Sequence, residues 1–219
     1  VIAVTVIAKI TVGKKNKSRY NIFIDKGKGE EFAFSVSEEV LIKMNLKKGL
    51  EINELDMEEI AYLDDIQKAY SSSLLYLSHR MRSEAEVKRY LKEKDYEDSV
   101  IKEVLHKLHS HKYLDDLEFA SALVRTRMNA GDKGPVVIRQ EMKEKGLQEQ
   151  TIEQALEQYD KELQIEHACR LAEKLAKKHS GSSLVEMKRK IEQSLLRKGY
   201  ASSIIGIAME MTAIEQDED

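Results

Sequence analysis

The first fifty-five or so residues alternate between apolar and polar positions in a way that predicts a small β-rich domain. One alternating set has the period of two expected of a half-buried strand and comprises Ile2, Val4, Val6, Ala8, Ile10 and Val12. Polar turns separate this segment from two further predicted strands at 20–24 and 32–36. Ser37 is an N-cap residue followed by two acids, which predicts a short helix ending near Met44. A domain this small is expected to pack on the adjoining helical part of the chain.

From Asp56 onward the pattern becomes helical and stays so. Two capping boxes are predicted, one from Asp56 to Glu59 and one from Ser83 to Glu86. Apolar residues at the i, i+3, i+4, i+7 spacing predict two amphipathic helices, the first through Ile101, Val104, Leu105 and Leu108 and the second through Leu117, Ala120, Leu123 and Val124. Gly134-Pro135 predicts a helix start, and Gly146 and Gly199 predict helix ends in the left-handed conformation.

A segment that recurs three times is the most informative feature of the chain. Leu91 through Tyr96 matches Met142 through Leu147 and Leu195 through Tyr200, each with a basic helix end, a turn residue and an apolar residue. The following isoleucine stands at the same distance in all three copies, and the copies recur at intervals of about fifty residues. Units of this length stack on their neighbours, so the sequence predicts tandem three-helix repeats in an elongated array. The predicted domains are 1–56 (β-rich), the repeats 57–113, 114–163 and 164–214, and an acidic tail at 215–219.

Composition agrees with a mainly helical protein. The 219 residues are 42% hydrophobic and 34% charged, and they include only ten glycines and one proline, which disfavours a sandwich of many tight turns. The lone cysteine, Cys169, cannot form an internal disulfide, so we expect a reducing, cytoplasmic setting. The apolar run at the start is too short to span a bilayer, and no membrane association is expected.

Charge alternates in sign along the chain. Residues 68–113 carry ten basic and seven acidic side chains, residues 114–160 six and ten, and residues 161–213 ten and six. The formal net charge is −3. This pattern favours docking on a partner of mixed charge over coating of DNA.

Five stretches of this chain carry a resemblance to a known family. They are 20–25, 34–37, 77–87 (Leu-Ser-His-Arg-Met-Arg-Ser-Glu-Ala-Glu-Val), 114–120 (Leu-Asp-Asp-Leu-Glu-Phe-Ala) and 124–127 (Val-Arg-Thr-Arg). Over nearly its whole length the chain resembles the RecX family of bacterial recombination regulators, in particular the longer forms from low-GC Gram-positive bacteria. Asp95 departs from the repeat, because the other two copies have glycine there. Longer members of the family continue past a position such as Asp219, so a further repeat is expected beyond it.

The resemblance implies a non-catalytic protein without cofactor or metal that binds the RecA recombinase. Such a protein lies along the groove of the RecA filament on DNA and inhibits ATP hydrolysis, filament growth and strand exchange. A rival interpretation is a direct nucleic-acid-binding protein that uses its repeats as helix-turn-helix-like modules, and a weaker one is a helical scaffold with another partner. We expect a monomer with weak, salt-sensitive affinity for DNA alone and tighter binding to RecA-coated DNA.

Nine basic residues are the candidates for partner binding. Arg80, Arg82, Arg125 and Arg127 lie near the ends of first helices, where arginine suits bidentate contact with carboxylate or phosphate. Pairing with nearby Glu84, Glu86 or Asp116 is an equally good explanation. The densest cluster comprises Lys188, Arg189, Lys190, Arg197 and Lys198; it could contact DNA in the filament, but a solvated helix face explains it better.

Other motifs have simpler structural explanations. Gly131-Asp132-Lys133-Gly134 matches a loop that clamps nucleic-acid backbones, but glycines at helix ends explain it more simply. His106, His109 and His111 lack the further ligands of a metal site, and Cys169 fits a small core residue. The sequence contains no recognisable catalytic motif, so an enzyme is not expected.

Overall fold

A computed structural model describes residues 5–14, 16–27 and 29–212. Within these ranges the chain forms four strands: β1 (Thr5–Val12), β2 (Arg19–Asp25), β3 (Glu30–Ser37) and β4 (Glu51–Ile52). The same ranges contain ten helices: α1 (Glu38–Lys43), α2 (Glu54–Ser78), α3 (Glu84–Lys92), α4 (Asp98–Ser110), α5 (Asp116–Ala130), α6 (Pro135–Glu144), α7 (Glu149–Leu156), α8 (Lys161–Lys178), α9 (Leu184–Arg197) and α10 (Ser202–Met211). The prediction of a small β-rich start followed by helices is confirmed.

The four strands form one antiparallel sheet in the order β3-β2-β1-β4. The alternating set predicted for β1 holds only in part, because the register against β2 shifts between Ile7 and Lys9. Such a bulge exchanges the two faces of a strand. Before the bulge, Ile7 is therefore fully buried and Val6 is 38% exposed; after it, Ile10 packs against the core and Val12 is 52% exposed. Ile2 and Val4, which belong to the same predicted set, lie outside the described residues.

The predicted short helix and one of the predicted capping boxes are confirmed. Ser37 caps α1 by accepting a hydrogen bond from the backbone of Val40. Ser83 and Glu86 form the reciprocal box, with Ser83 N to Glu86 Oε2 at 3.3 Å and Glu86 N to Ser83 Oγ at 3.2 Å. The other predicted box is wrong: α2 begins three residues earlier, with Asn53 as N-cap and Asp56 as its acidic partner. The Asn53 side chain accepts a hydrogen bond from the Asp56 backbone, and the Asp56 side chain accepts one from the Asn53 backbone, so this pair satisfies two free N–H groups at the start of α2.

The chain divides into two compact units. The first contains the residues up to Met81 together with Val87–Leu114, and the second contains Arg82–Glu86 together with the chain from Asp115 onward. Two hydrophobic cores lie in the first unit, one between the sheet, α1 and the start of α2, and one between the rest of α2, α3 and α4. Two further cores lie in the second unit, among α5 to α7 and among α8 to α10. Each helical core is formed by three successive helices, so the tandem three-helix repeats are confirmed.

An ion network ties the sheet to α2 in the first unit. The Arg19 guanidinium donates to both carboxylate oxygens of Asp64, at 2.9 and 2.8 Å, and its Nε donates to Ser35 Oγ at 3.3 Å. Asp64 is 3% exposed; it also accepts a hydrogen bond from the Ser37 backbone and pairs with Lys68 at 3.1 Å. Burial by itself would raise the pKa of Asp64, but these donors outweigh it and hold the pKa below its ordinary value. Because its oxygens accept hydrogen bonds from Arg19 and Ser37 of the sheet, the Asp64 carboxylate anchors α2 beneath the sheet.

Backbone hydrogen bonds join the repeats of the second unit. The N–H of Gly134, the N-cap of α6, donates to the carbonyl of Lys198 at 2.7 Å, and the N–H of Val136 donates to the carbonyl of Gly199 at 3.2 Å. At the matching place one repeat earlier, Ser83 Oγ donates to the carbonyl of Lys145 at 2.6 Å. Within the second unit, the start of α6 therefore sits on the turn that ends α9, and Ser83 sits on the turn that ends α6.

Close packing explains the glycines in these turns. Gly146 and Gly199 end their helices with φ of 78° and 87°, as predicted from the sequence. A Cβ on Gly199 would lie 2.5 Å from the Val137 nitrogen, and one on Gly146 would lie 2.4 Å from the Ala85 Cβ. Asp95 adopts φ of 61° at the corresponding turn of the first repeat and is exposed. An exposed turn tolerates a side chain in this conformation, which accounts for the departure at that position.

Candidate partner-binding surface

Arg80 and Arg82 follow the end of α2 and differ in exposure. Arg80 is exposed, and its guanidinium donates to the carbonyl of Met81 at 2.8 Å. Arg82 is half-buried, with its Nε enclosed by protein, and it directly precedes the Ser83 cap of α3. A partner can therefore reach Arg80 more readily than Arg82.

Arg125 and Arg127 lie on α5, and the structure separates their roles. Arg125 is exposed and pairs with Glu118 at 2.8 Å, with both side chains about half accessible. Such a surface pair is worth little and can be exchanged for another partner. Arg127 is two-thirds covered and pairs through Nε with Glu141 of α6 at 2.7 Å, and Lys133 pairs with the same carboxylate. These two cations hold the pKa of Glu141 below its ordinary value against the opposing effect of burial. Arg127 thus links α5 to α6.

The basic cluster of α9 does not form one face. Consecutive residues are about 100° apart around a helix, so Lys188, Arg189 and Lys190 point in three directions. Arg189 is exposed, whereas Lys188 and Lys190 are half-buried, and Lys190 pairs with Glu186 at 2.8 Å. The surface formed by this run is therefore one exposed arginine flanked by two half-buried lysines.

Arg197 and Lys198, at the end of the same helix, also differ. Arg197 is exposed. Lys198 pairs with Asp132 at 3.4 Å, while its carbonyl accepts the hydrogen bond from Gly134. Lys198 therefore takes part in the junction between the second and third repeats, and Arg197 is the accessible member of the pair.

The loop at Gly131–Gly134 is occupied by this same junction. A Cβ on Gly134 would lie 2.3 Å from the Gly199 carbonyl oxygen, and Gly131 ends α5 in the left-handed conformation with His167 packed beside it. Close backbone packing therefore accounts for Gly134, and the left-handed end of α5 accounts for Gly131.

A buried polar cluster lies directly below this loop. The Tyr159 hydroxyl is 2.8 Å from His167 Nδ1 and 3.4 Å from the Tyr200 hydroxyl. Burial raises the pKa of both tyrosines, and burial with the nearby Arg170 lowers the pKa of His167. The cluster therefore consists of neutral groups at neutral pH and joins α7, α8 and the end of α9.

Sequence reasoning missed a groove between α8 and α9. It has a volume of about 580 Å³, an apolar floor that includes Leu175 and Leu195, and four lysines on its rim: Lys174, Lys177, Lys178 and Lys198. None of the lining residues that the structure describes is acidic. The spacing of three of these lysines along α8 was visible in the sequence, but the groove depends on the packing of α9.

His106, His109 and His111 are exposed, and Cys169 is half-buried. His111 Nδ1 is 2.9 Å from the Tyr70 hydroxyl, and Cys169 packs half-buried against the core of the third repeat, where burial raises the pKa of its thiol. In the described part of the chain, no group of three or more metal-binding side chains is close enough to hold an ion. A search of the helices in the same part finds none long and apolar enough to cross a membrane.

Family models match four successive parts of the chain. They are the Regulatory protein RecX N-terminal domain at residues 5–53, and the first, second and third three-helix domains of RecX at residues 69–108, 115–156 and 162–209. The matched segments follow the sheet and the three helical cores described above.

Individual relatives agree with these matches. The chain is 45% identical over 213 residues to the regulatory protein RecX of Bacillus cytotoxicus, covering 97% of this chain and 79% of that protein. It is 43% identical to the RecX of Bacillus mycoides, covering 98% and 80%.

Two solved structures are similar as well. A crystal structure of regulatory protein RecX has a TM-score of 0.81 and 39% identity, covering 94% of this chain and 98% of that one. The RecX of Lactobacillus salivarius has a TM-score of 0.66 and 39% identity, covering 68% and 96%. The fold, the order of its domains and these relatives together show that the chain belongs to the RecX family of regulatory proteins.

Proposed function

We propose that the protein is a non-enzymatic regulator that binds the RecA filament on DNA. In this proposal it inhibits the ATPase activity, filament growth and strand exchange of RecA. The observation that carries the proposal is membership in the regulatory family across all four matched domains. Tandem repeats suit such a partner, because each engaged repeat raises the effective concentration of the next along a filament.

The nine candidate cations differ in how exposed they are, and we use this difference to propose which of them contact the filament. We propose that Arg80, Arg125, Arg189 and Arg197 contact the filament, because all four are exposed. Arg127 already links α5 to α6, so reversing its charge would damage the fold, and Lys198 is already paired with Asp132. Arg82, Lys188 and Lys190 are half-buried and are expected to contribute less.

A comparison of affinities tests the proposal. The chain is titrated by fluorescence anisotropy against a labelled single-stranded oligonucleotide, either bare or coated with RecA in the presence of a non-hydrolysable ATP analogue. We expect at least tenfold tighter binding to the coated strand at physiological salt. Equal or tighter binding to the bare strand would instead favour a direct nucleic-acid-binding protein.

Charge-reversal variants test which surface of the protein contacts the RecA-coated strand. Arg125→Glu and Arg189→Glu should each weaken binding to the RecA-coated strand several-fold, because each replaces an attractive charge at the rim of the interface by a repulsive one. Lys102→Glu is the matched control, since Lys102 is an exposed helix cation outside the candidate set. If the control weakens binding as much as the other two variants, the effect reflects net charge and the proposed surface is wrong.

A further inference from the structure

The outer face of the N-terminal sheet combines one exposed and one half-buried aromatic ring with basic residues at its β1–β2 end. Its opposite face carries Ile7, Ile22, Ile24 and Val36, which are buried under α1 and α2. The outer face carries Lys9 and Thr11 on β1, Asn21 and Phe23 on β2, and Phe32 and Ser35 on β3, and these six residues are called the sheet platform below.

The Phe23 and Phe32 rings of the sheet platform pack against each other and leave one ring open to solvent. Phe32 is 57% exposed, and Phe23 meets it edge-on with ring centroids 5.9 Å apart and planes at 77°. The ammonium of Lys9 lies 5.9 Å from the Phe23 centroid. Phe23 thus supports Phe32 from the side and leaves the Phe32 ring accessible.

Positive charge is concentrated at the β1–β2 end of this face, whereas Asp25 and Glu30 lie opposite each other at its other end, next to the Phe23–Phe32 pair. The sequence up to Ile24 contains five basic residues, Lys9, Lys14, Lys15, Lys17 and Arg19, and no acidic residue. A depression of about 590 Å³ on this face is lined by Lys9, Lys14, Phe23 and neighbouring polar residues, and none of the described lining residues is acidic. Arg19 is already engaged by Asp64, which leaves Lys9, Lys14 and Lys17 as exposed cations near the platform.

We propose that the sheet platform binds single-stranded nucleic acid, with a base stacked on Phe32 and the lysines on the flanking phosphates. Proteins that bind single strands combine these two elements, since every base offers a π-face and the backbone is anionic. The side chains of Thr11, Asn21 and Ser35 add hydroxyl and amide groups of the kind that hydrogen bond to base edges. An acidic peptide would use the lysines but would gain little from the exposed ring, which favours the nucleic acid.

The test measures binding of the full chain to a labelled thymidine 20-mer, without RecA. Phe32→Leu keeps an apolar side chain on the strand but removes the ring, and we expect it to weaken binding about tenfold. Phe32→Tyr should restore binding to within about twofold. Tyr113→Leu is the matched control, because Tyr113 is 53% exposed but lies after α4, and it should leave the affinity unchanged.

Salt dependence tests the lysines separately. Lys9→Gln should lower the slope of log K against log salt by about 0.7, the value for one phosphate contact on a single strand. Lys102→Gln should leave that slope unchanged. Circular dichroism and the urea midpoint of each variant establish that the fold is retained.

Three results would overturn the proposal. One is the absence of measurable binding of the wild-type chain to the 20-mer at low salt, and another is an unchanged affinity in Phe32→Leu and Lys9→Gln. The third is competition by poly-glutamate as effective per charge as that by unlabelled 20-mer, which would identify an acidic-peptide site. Because RecA is absent from every arm, this proposal and the proposed regulatory function can fail independently of each other.

Discussion

The two units of the chain join their parts by opposite physical means. In the first unit, the buried carboxylate of Asp64 binds the sheet to α2 through Arg19 and Lys68. In the second unit, the junction between repeats is made by backbone groups of Gly134 and Gly199 that approach too closely for any side chain. An ion network tolerates small displacements but depends on pH, whereas close backbone packing is insensitive to pH but tolerates no added atom.

The largest effect is expected from adding one carbon to a repeat junction. Gly199→Ala places a Cβ 2.5 Å from the Val137 nitrogen in a left-handed conformation, and we expect it to lower the free energy of unfolding by about 3 kcal/mol. Gly206→Ala is the control, because Gly206 lies within α10 with open space around it; that change should stabilise the protein by up to about 1 kcal/mol. Urea unfolding measures both. A similar response at the two positions would contradict the packing argument.

The preceding junction allows a rescue experiment. Gly146→Ala places a Cβ 2.4 Å from the Cβ of Ala85, and we expect it to lower the free energy of unfolding by about 2 kcal/mol. Ala85→Gly in the same chain removes the clash, so the double variant should recover about 1 kcal/mol relative to the sum of the single changes. Strictly additive effects in urea unfolding would show that the left-handed conformation alone requires the glycine.

Asp64→Asn is expected to have the next largest effect, in the first unit. The change leaves Arg19 without its buried counter-charge, so we expect the free energy of unfolding to fall by about 2 kcal/mol. The effect is no larger because the Arg19 side chain keeps some access to water. The pKa of Asp64 is lower in the folded protein, so its contribution is present above the ordinary carboxyl value of 3.8 and is lost as the pH falls below it. Urea midpoints measured between pH 5 and 3 should fall more steeply for the wild type than for Asp64→Asn. Parallel curves would contradict the role assigned to the network.

His167 gives the second unit a smaller pH dependence of its own. Its pKa is lowered by burial and by Arg170, so the unfolded chain takes up the proton more readily than the folded one. Stability is then lost as the pH falls below the ordinary histidine value of 6.5. Amide hydrogen exchange at pH 7 and pH 5.5, corrected for intrinsic rates, should show reduced protection in α8 of the wild type. His167→Gln should show little change between the two pH values, and an equal loss in both proteins would assign the effect to another group.

The smallest effect is expected where the turn is exposed. Asp95→Gly relieves a left-handed aspartate but increases the freedom of the unfolded chain, so we expect a change of less than about 1 kcal/mol in either direction. Urea unfolding of this variant completes the comparison with Gly146 and Gly199. A loss as large as that of Gly199→Ala would show that the first turn is also closely packed.

These contrasts also show what the sequence could and could not predict. The repeats, Pro135 at a helix start and the turn glycines follow from local periodicity and backbone conformation, which a sequence expresses directly. The bulge between Ile7 and Lys9 and the cap at Asn53 were missed, because neighbouring residues offered equally good local solutions. The engagement of Arg127 and Lys198 was not predictable, since their partners Glu141 and Asp132 lie on other helices or loops.

The central claim of a regulator acting on the RecA filament is tested most directly by RecA's DNA-dependent ATP hydrolysis. The protein is titrated into preformed filaments, and the rate of ATP hydrolysis is recorded against the ratio of protein to RecA. We predict that the rate falls at substoichiometric protein and that Arg125→Glu with Arg189→Glu shifts the curve to higher concentration. An unchanged rate at a stoichiometric excess of folded protein would contradict the claim.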